Sequence, residues 1–116
     1  MRKSMMLPPN PNALRYFSTV LENDPSREVR LTSVTLLPGG GSNFHRHPGD
    51  QWAAIQEGEV TFNIKGQPSR KLKAGDWVHI PRGTVHRNQN LTDKPSRSIE
   101  LVIVDKDKPQ NEQVPD

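Results

Sequence analysis

Apolar and polar positions alternate with a period of two along most of the chain, and turn residues cut that alternation into short runs. Glu28 to Leu37 (EVRLTSVTLL) is rich in β-branched and aliphatic residues and stops at Pro38 and three glycines, which predicts a strand and a turn. Gln51 to Gln56 and Val60 to Lys65 flank the tight turn Glu57-Gly58-Glu59 and predict a hairpin. Ser69 to Lys73 predicts a short strand and Lys73-Ala74-Gly75-Asp76 a turn; Trp77 to Ile80 follows as a strand ended by Pro81. Arg97 to Val104 predicts the last strand, with Ile99, Leu101 and Ile103 on one face and Glu100, Val102 and Val104 on the other. No window sustains an apolar period of 3.6 with caps, and a single turn within 12–20 is the most helix on offer. Many short strands between turn residues predict an all-β sandwich or barrel. The barrel is the economical form at this size, because closure removes exposed edges.

The 116 residues suffice for one domain and its core. The folded body is expected over about 28–104, between an N-terminal arm (1–27) and a C-terminal tail (105–116). PPNPN at 8–12 and KPQNEQVPD at 108–116 bury too little to order themselves, so they are expected as tails or edge arms unless a second subunit holds them. Hydrophobic residues make up 31% of the chain and aromatics 5%, so the core must be small and built from Val, Ile, Leu and Phe. Sixteen basic and thirteen acidic residues are interleaved, giving a net charge of +3 without a basic cluster, so no nucleic-acid partner is expected. MRKSMMLPPN is too short in apolar residues for a secretory core, and no run approaches a membrane span. A soluble chain is expected, cytoplasmic by default, with export through a trimmed signal as the alternative.

There is no cysteine, so any metal site must use nitrogen and oxygen donors. GSNFHRHPGDQWAAIQEGE, residues 41–59, places His45 and His47 two apart, hence on one face of an extended chain. If the backbone stays extended through Pro48-Gly49, Gln51 shares that parity, and its side-chain carbonyl oxygen can be a further donor. His86 follows after a separate turn. His79 alternates with Val78 and Ile80 and is expected to face solvent, and the parity of Asp50 points it away from the histidines.

From Gly39 the chain runs five residues to His45, one to His47, three to Gln51 and six to Gly58. From Gly75 it runs five to Pro81, one to Gly83, two to His86 and three to Asn90. Sixteen residues separate the two stretches. This resembles the paired signature motifs of the cupin superfamily, with glutamine at position 51 where the commonest pattern has glutamate. The resemblance implies a cupin-type β-barrel, a double-stranded β-helix or jelly roll. It also implies one divalent transition metal per chain (Zn, Ni, Mn or Fe) held by His45, His47, Gln51 and His86, with His86 entering from the opposite sheet. Gly39, Gly58, Gly75 and Gly83 would mark sharp turns that need positive φ.

A glutamine leaves the site more electropositive than a glutamate and favours Lewis-acid chemistry over redox cycling. Residues on the ligands' parity sketch a pocket for a small-molecule ligand or substrate: Asn43, Ala53, Ile55, Val60, Phe62, Ile64, Val78, Ile80, Leu101 and Ile103. No residue marks itself as a general acid or base, and Arg82 and Arg87 are candidates to attract an anion. The expected function is a metal-dependent enzyme polarising a carbonyl or enolisable oxygen, of isomerase, cyclase or lyase type. A ferrous dioxygenase of a small aromatic or diketone and a non-catalytic small-ligand module are the alternatives. The resemblance further implies a homodimer, with Arg15 to Leu21 as a candidate exchanged arm, and is nearest to small bacterial cupins in which an export signal is common.

Overall fold

Two five-stranded sheets face each other in the computed structural model, which describes residues 13–114. The strands are β1 (Leu14–Val20), β2 (Arg27–Leu36), β3 (His45–Arg46), β4 (Gly49–Glu57), β5 (Glu59–Ile64), β6 (Arg70–Lys73), β7 (Trp77–Ile80), β8 (His86–Gln89), β9 (Ser96–Asp105) and β10 (Glu112–Gln113). One sheet has the order β1-β2-β9-β4-β7 and the other β10-β3-β8-β5-β6, with antiparallel pairings. From β3 onward the chain passes back and forth between the sheets, the winding of a double-stranded β-helix. The PPNPN stretch lies outside the described residues. Residues 14–20, which offered a helical turn by pattern, form a strand paired along β2.

The expected hairpin of Gln51 to Gln56 with Val60 to Lys65 does not form. β4 pairs with β7 and β9, and β5 with β6 and β8, so the Glu57-Gly58-Glu59 turn is a corner between sheets. Gly58 has φ of 76°, and a Cβ there would come within 2.6 Å of the Pro95 carbonyl oxygen. A corner seated that tightly on the 95–96 backbone sends β5 across to the other sheet rather than back along β4. The other predicted turn glycines, Gly39, Gly75 and Gly83, also have positive φ.

Inward-facing side chains from both sheets fill the core. Leu36, Ile55, Val78 and Ile80 from the first sheet meet Val60, Phe62 and Leu72 from the second. Each such side chain contributes about 1.5–3 kcal/mol by leaving water. Asn90, fully buried, ties the loop before β9: its Nδ2 donates to the Leu36 and Lys94 carbonyls at 2.8 and 2.7 Å, and its Oδ1 accepts from Thr92 N at 2.9 Å. The asparagine that closes the second motif therefore has a structural use.

At the start of β4 the backbone of Gly49 lies against β9. A Cβ at Gly49 would fall onto the Ile103 carbonyl oxygen, 2.7 Å from its carbon and 2.8 Å from Val104 Cα. Proximity of this kind admits only glycine, and it holds β4 in the register that pairs Gly49 with Val104 and Gln51 with Val102.

Candidate metal centre

His45 and His86 are direct cross-strand partners on β3 and β8 of the same sheet, not arrivals from opposite sheets. Residues opposite one another in an antiparallel pair share a face, which brings the two rings to 4.4 Å between centroids. His47 follows one residue beyond β3, where the chain leaves that sheet for the other, and its ring lies 5.0 Å from His45 and 5.1 Å from His86. Gln51 comes from β4 of the facing sheet. All four side chains are buried.

The imidazole hydrogen bonds determine what the cluster offers. His45 Nδ1 lies 2.8 Å from the Asn43 carbonyl, His47 Nδ1 2.8 Å from the Gln110 carbonyl and His86 Nδ1 2.9 Å from the Thr84 carbonyl. A carbonyl only accepts, so each Nδ1 carries the proton and each neutral ring turns an Nε2 lone pair away from that bond. The Nε2 atoms of His47 and His86 are buried without a protein partner, and so is Gln51 Oε1. One ligand atom from each histidine lies within 4.8 Å of the others. Clustered lone pairs with no donor among them repel one another; a cation between them would satisfy every one. The residues fit a divalent metal: borderline nitrogen donors, one neutral oxygen donor, and backbone carbonyls fixing each ring from behind.

Burial pushes the His47 and His86 imidazoles down to about 4, with neighbouring histidines adding to the shift and the backbone carbonyls opposing it. Burial also lowers His45. On the facing sheet, burial raises the Glu100 carboxyl to about 7, opposed by the Gln51 side chain beside it. These shifts predict how metal-free protein responds to acid. Unfolding lets the imidazoles take up protons near their ordinary value of 6.5, which the folded chain refuses until about 4. Their stabilisation is therefore complete above 6.5 and lost as pH falls toward 4. Glu100 acts in the opposite sense, its contribution being complete below 4.5 and lost as pH rises through 7. His47 and His86 outweigh the one carboxyl and His45 shifts in their direction, so between pH 6.5 and 4.5 stability should fall on acidification with a slope of at least about one proton. Urea melts of chelator-treated protein at half-unit pH intervals check this; a flat or rising midpoint toward pH 4.5 would contradict the buried neutral cluster.

Beside the histidines opens a cavity of about 370 Å³. Asn43, Ala53, Ile55 and Val78 line it, together with Val60 and Leu72. Phe62 and Ile80 sit in the core beneath, Phe62 with its ring 5.8 Å from that of His86, and Ile64 packs against the core. Leu101 and Ile103, expected in the pocket, do not line it. The register of β9 pairs Val102 with Gln51, Glu100 with Ala53 and Ser98 with Ile55, so Ser98, Glu100, Val102 and Val104 face inward and Leu101 and Ile103 face out. Both faces of this strand are aliphatic, so alternation alone does not choose between them. Glu100 is thus a cavity-lining carboxylate that sequence reasoning placed on the wrong side.

His79 is exposed on the outer face, stacked on Trp52 with its Nε2 3.1 Å from Asp50 Oδ1. Arg82 pairs with Asp105 at 3.1 Å, and Arg87 lies over the Phe44 ring at 4.5 Å; neither lines the cavity. Arg15 of β1 does, and so do Gln110, Asn111 and Gln113 of the segment after β9. That segment, expected as a tail or edge arm, returns along β3 as β10 and supplies the carbonyl that orients His47. Nothing in its Pro- and Asn-containing sequence signals this, because the pairing is with residues more than sixty positions earlier.

A family model described as Cupin domain matches residues 32–104. The chain is 34% identical over 76 residues to the uncharacterized protein YdbB of Bacillus subtilis, covering 65% of this chain and 60% of that protein. It is 36% identical over 69 residues to the dimethylsulfoniopropionate lyase DddQ of Ruegeria pomeroyi, covering 59% of this chain and 34% of the lyase. The DddQ crystal structure superposes with a TM-score of 0.66 at 26% identity, covering 84% of this chain and 49% of that one. An uncharacterized double-stranded β-helix protein from Klebsiella pneumoniae superposes with a TM-score of 0.68 at 21% identity, covering 96% and 93%. The chain thus spans less than two thirds of the length of the curated relatives it matches.

Proposed function

The chain belongs to the cupin family, and from that premise we propose that it is a metal-dependent enzyme acting on a small molecule, with one divalent transition-metal ion held by His45, His47, Gln51 and His86. The observation that carries this reading is the common tautomer of the three histidines: every Nδ1 proton is spent on a backbone carbonyl, which leaves the Nε2 lone pairs to converge. When bound, such an ion supplies Lewis acidity toward a carbonyl or enolisable oxygen.

The chain's own residues supply the rest. Four neutral donors leave the charge of the ion undiminished, which suits polarisation better than it suits a trivalent redox state. Ala53, Ile55, Val60, Leu72 and Val78 form an apolar wall that excludes water and takes up the hydrocarbon part of a substrate. Glu100, the carboxylate on the cavity wall among the described residues, is the group positioned to accept or return a proton. The constellation suits an isomerase, cyclase or lyase that moves a proton beside a polarised oxygen. Similarity to a lyase supports that class, although the alignment spans only a third of that protein. A ferrous dioxygenase would use the same donors; oxygen uptake by iron-loaded protein with a catechol or diketone would favour it instead.

Protein purified without added metal should contain about one transition-metal ion per chain. Chelation should remove it, and readdition at a hundredfold excess over Kd should raise stability by about 2.7 kcal/mol. Chelated protein whose thermal midpoint ignores micromolar Zn, Ni, Mn and Fe(II) would end the metal reading.

A further inference from the structure

We propose that the cavity takes a small carboxylate, whose charged end is received by Arg15 at the mouth while its other end reaches the metal centre. Only this last clause rests on the metal-centred reading above. Arg15 is exposed and is the one guanidinium among the residues that line the cavity. Arg27, Arg30, Arg46, Arg82 and Arg97 each face a carboxylate: Asp105, Glu28, Glu112, Asp105 and Glu57 respectively. Arg87 is stacked on Phe44. Arg15 has no carboxylate within ion-pair distance among the described residues, and its Nη2 donates to the neutral side-chain oxygen of Gln110 at 2.8 Å.

A guanidinium with one of its five donors on an amide still presents a planar fork, the geometry that matches a carboxylate. Asn43, Asn88, Asn111 and Gln113 stand around the same cavity as neutral donors. Among the described residues one such cation lines the cavity rather than a cluster, and no helix N-terminus adjoins it, so a singly charged carboxylate fits better than a phosphate. The charges agree. Arg15 offsets Glu100, and a divalent ion on neutral donors adds roughly two positive charges at the inner end, so the cavity as a whole attracts an anion. Its 370 Å³ equals about a dozen water volumes of ~30 Å³, which limits the ligand to roughly that many non-hydrogen atoms.

Butyrate and butyramide have the same size and shape and differ in charge, so they isolate the effect. Their dissociation constants, read from amide chemical shifts, should favour butyrate by about tenfold in wild-type protein, with inorganic phosphate weaker than butyrate. Arg15→Gln should erase that preference while leaving butyramide unchanged, and Arg15→Lys should restore part of it, since lysine keeps the charge without the fork. An equal affinity for the two probes, a preference that survives Arg15→Gln, or tighter binding of phosphate would each overturn the proposal. The comparison is made on chelated and on metal-loaded protein. A failed metal reading leaves the Arg15-dependent preference visible in the chelated sample, whereas loss of the preference with metal binding intact sinks this inference alone.

Discussion

His86→Ala is expected to lower metal affinity by at least a hundredfold and to abolish the stabilisation that added metal confers. His86 is fully buried, its Nδ1 proton is fixed on the Thr84 carbonyl and its Nε2 has no protein partner, so the ring has no other evident use for that lone pair. Changes to groups that merely orient a metal ligand already cost 10- to 100-fold, and removing a donor outright should exceed that range. The substitution also opens a void among His45, His47 and Phe62, the three rings against which His86 packs. Metal-free protein should therefore lose about 2–4 kcal/mol from packing alone. Metal content and the metal-dependent shift in thermal midpoint separate the two effects. His79→Ala is the control: that ring is exposed on the outer face, and its removal should leave metal content unchanged. A His86→Ala protein that keeps a full complement of tightly bound metal would refute the centre as described.

Gly49→Ala should unfold the protein or cost more than about 4 kcal/mol, a loss far outside the usual range for adding one methyl group. The new Cβ meets the Ile103 backbone rather than a flexible side chain, so relief requires β4 to move away from β9. Gln51 rides on the same strand two residues later and His47 lies two residues before, so whatever folded protein remains should also bind metal less tightly. Gly66→Ala provides the comparison. Gly66 has φ of 85° but nothing within 4 Å of a Cβ, and its replacement should cost about 1 kcal/mol from backbone strain. Denaturant midpoints of the two variants within about 1 kcal/mol of each other would show that the close approach is not a constraint.

Much of this protein is written in local sequence. The positions of β2, β4, β5, β6, β7 and β9 follow from period-two alternation, and the turn glycines at 39, 58, 75 and 83 occupy positive φ as expected, because turn geometry depends on a few adjacent residues. His45 and His47 are buried on one side of the chain and the intervening Arg46 is exposed, a consequence of extended backbone alone.

Partnership between distant strands was not legible in the same way. Whether β4 pairs with β5 or each joins a different sheet depends on how the corner at Gly58 seats against residues 95–96. Glu100 faces the cavity and Leu101 faces out because β9 is registered against β4, and a strand with aliphatic residues on both faces carries no internal mark of which is inside. Arg15 reaches the cavity from the first strand, and Gln110 orients His47 from a segment of low hydrophobicity, each through contacts that span much of the chain. The sequence by itself determined the longer central strands, the glycine turns and the shared parity of His45 and His47, since these rest on near neighbours, whereas β1 and β10 arise only from pairing with other strands. The tertiary structure alone decided which carboxylate, guanidinium and carbonyl join them, since one residue of register reverses every side chain on a strand.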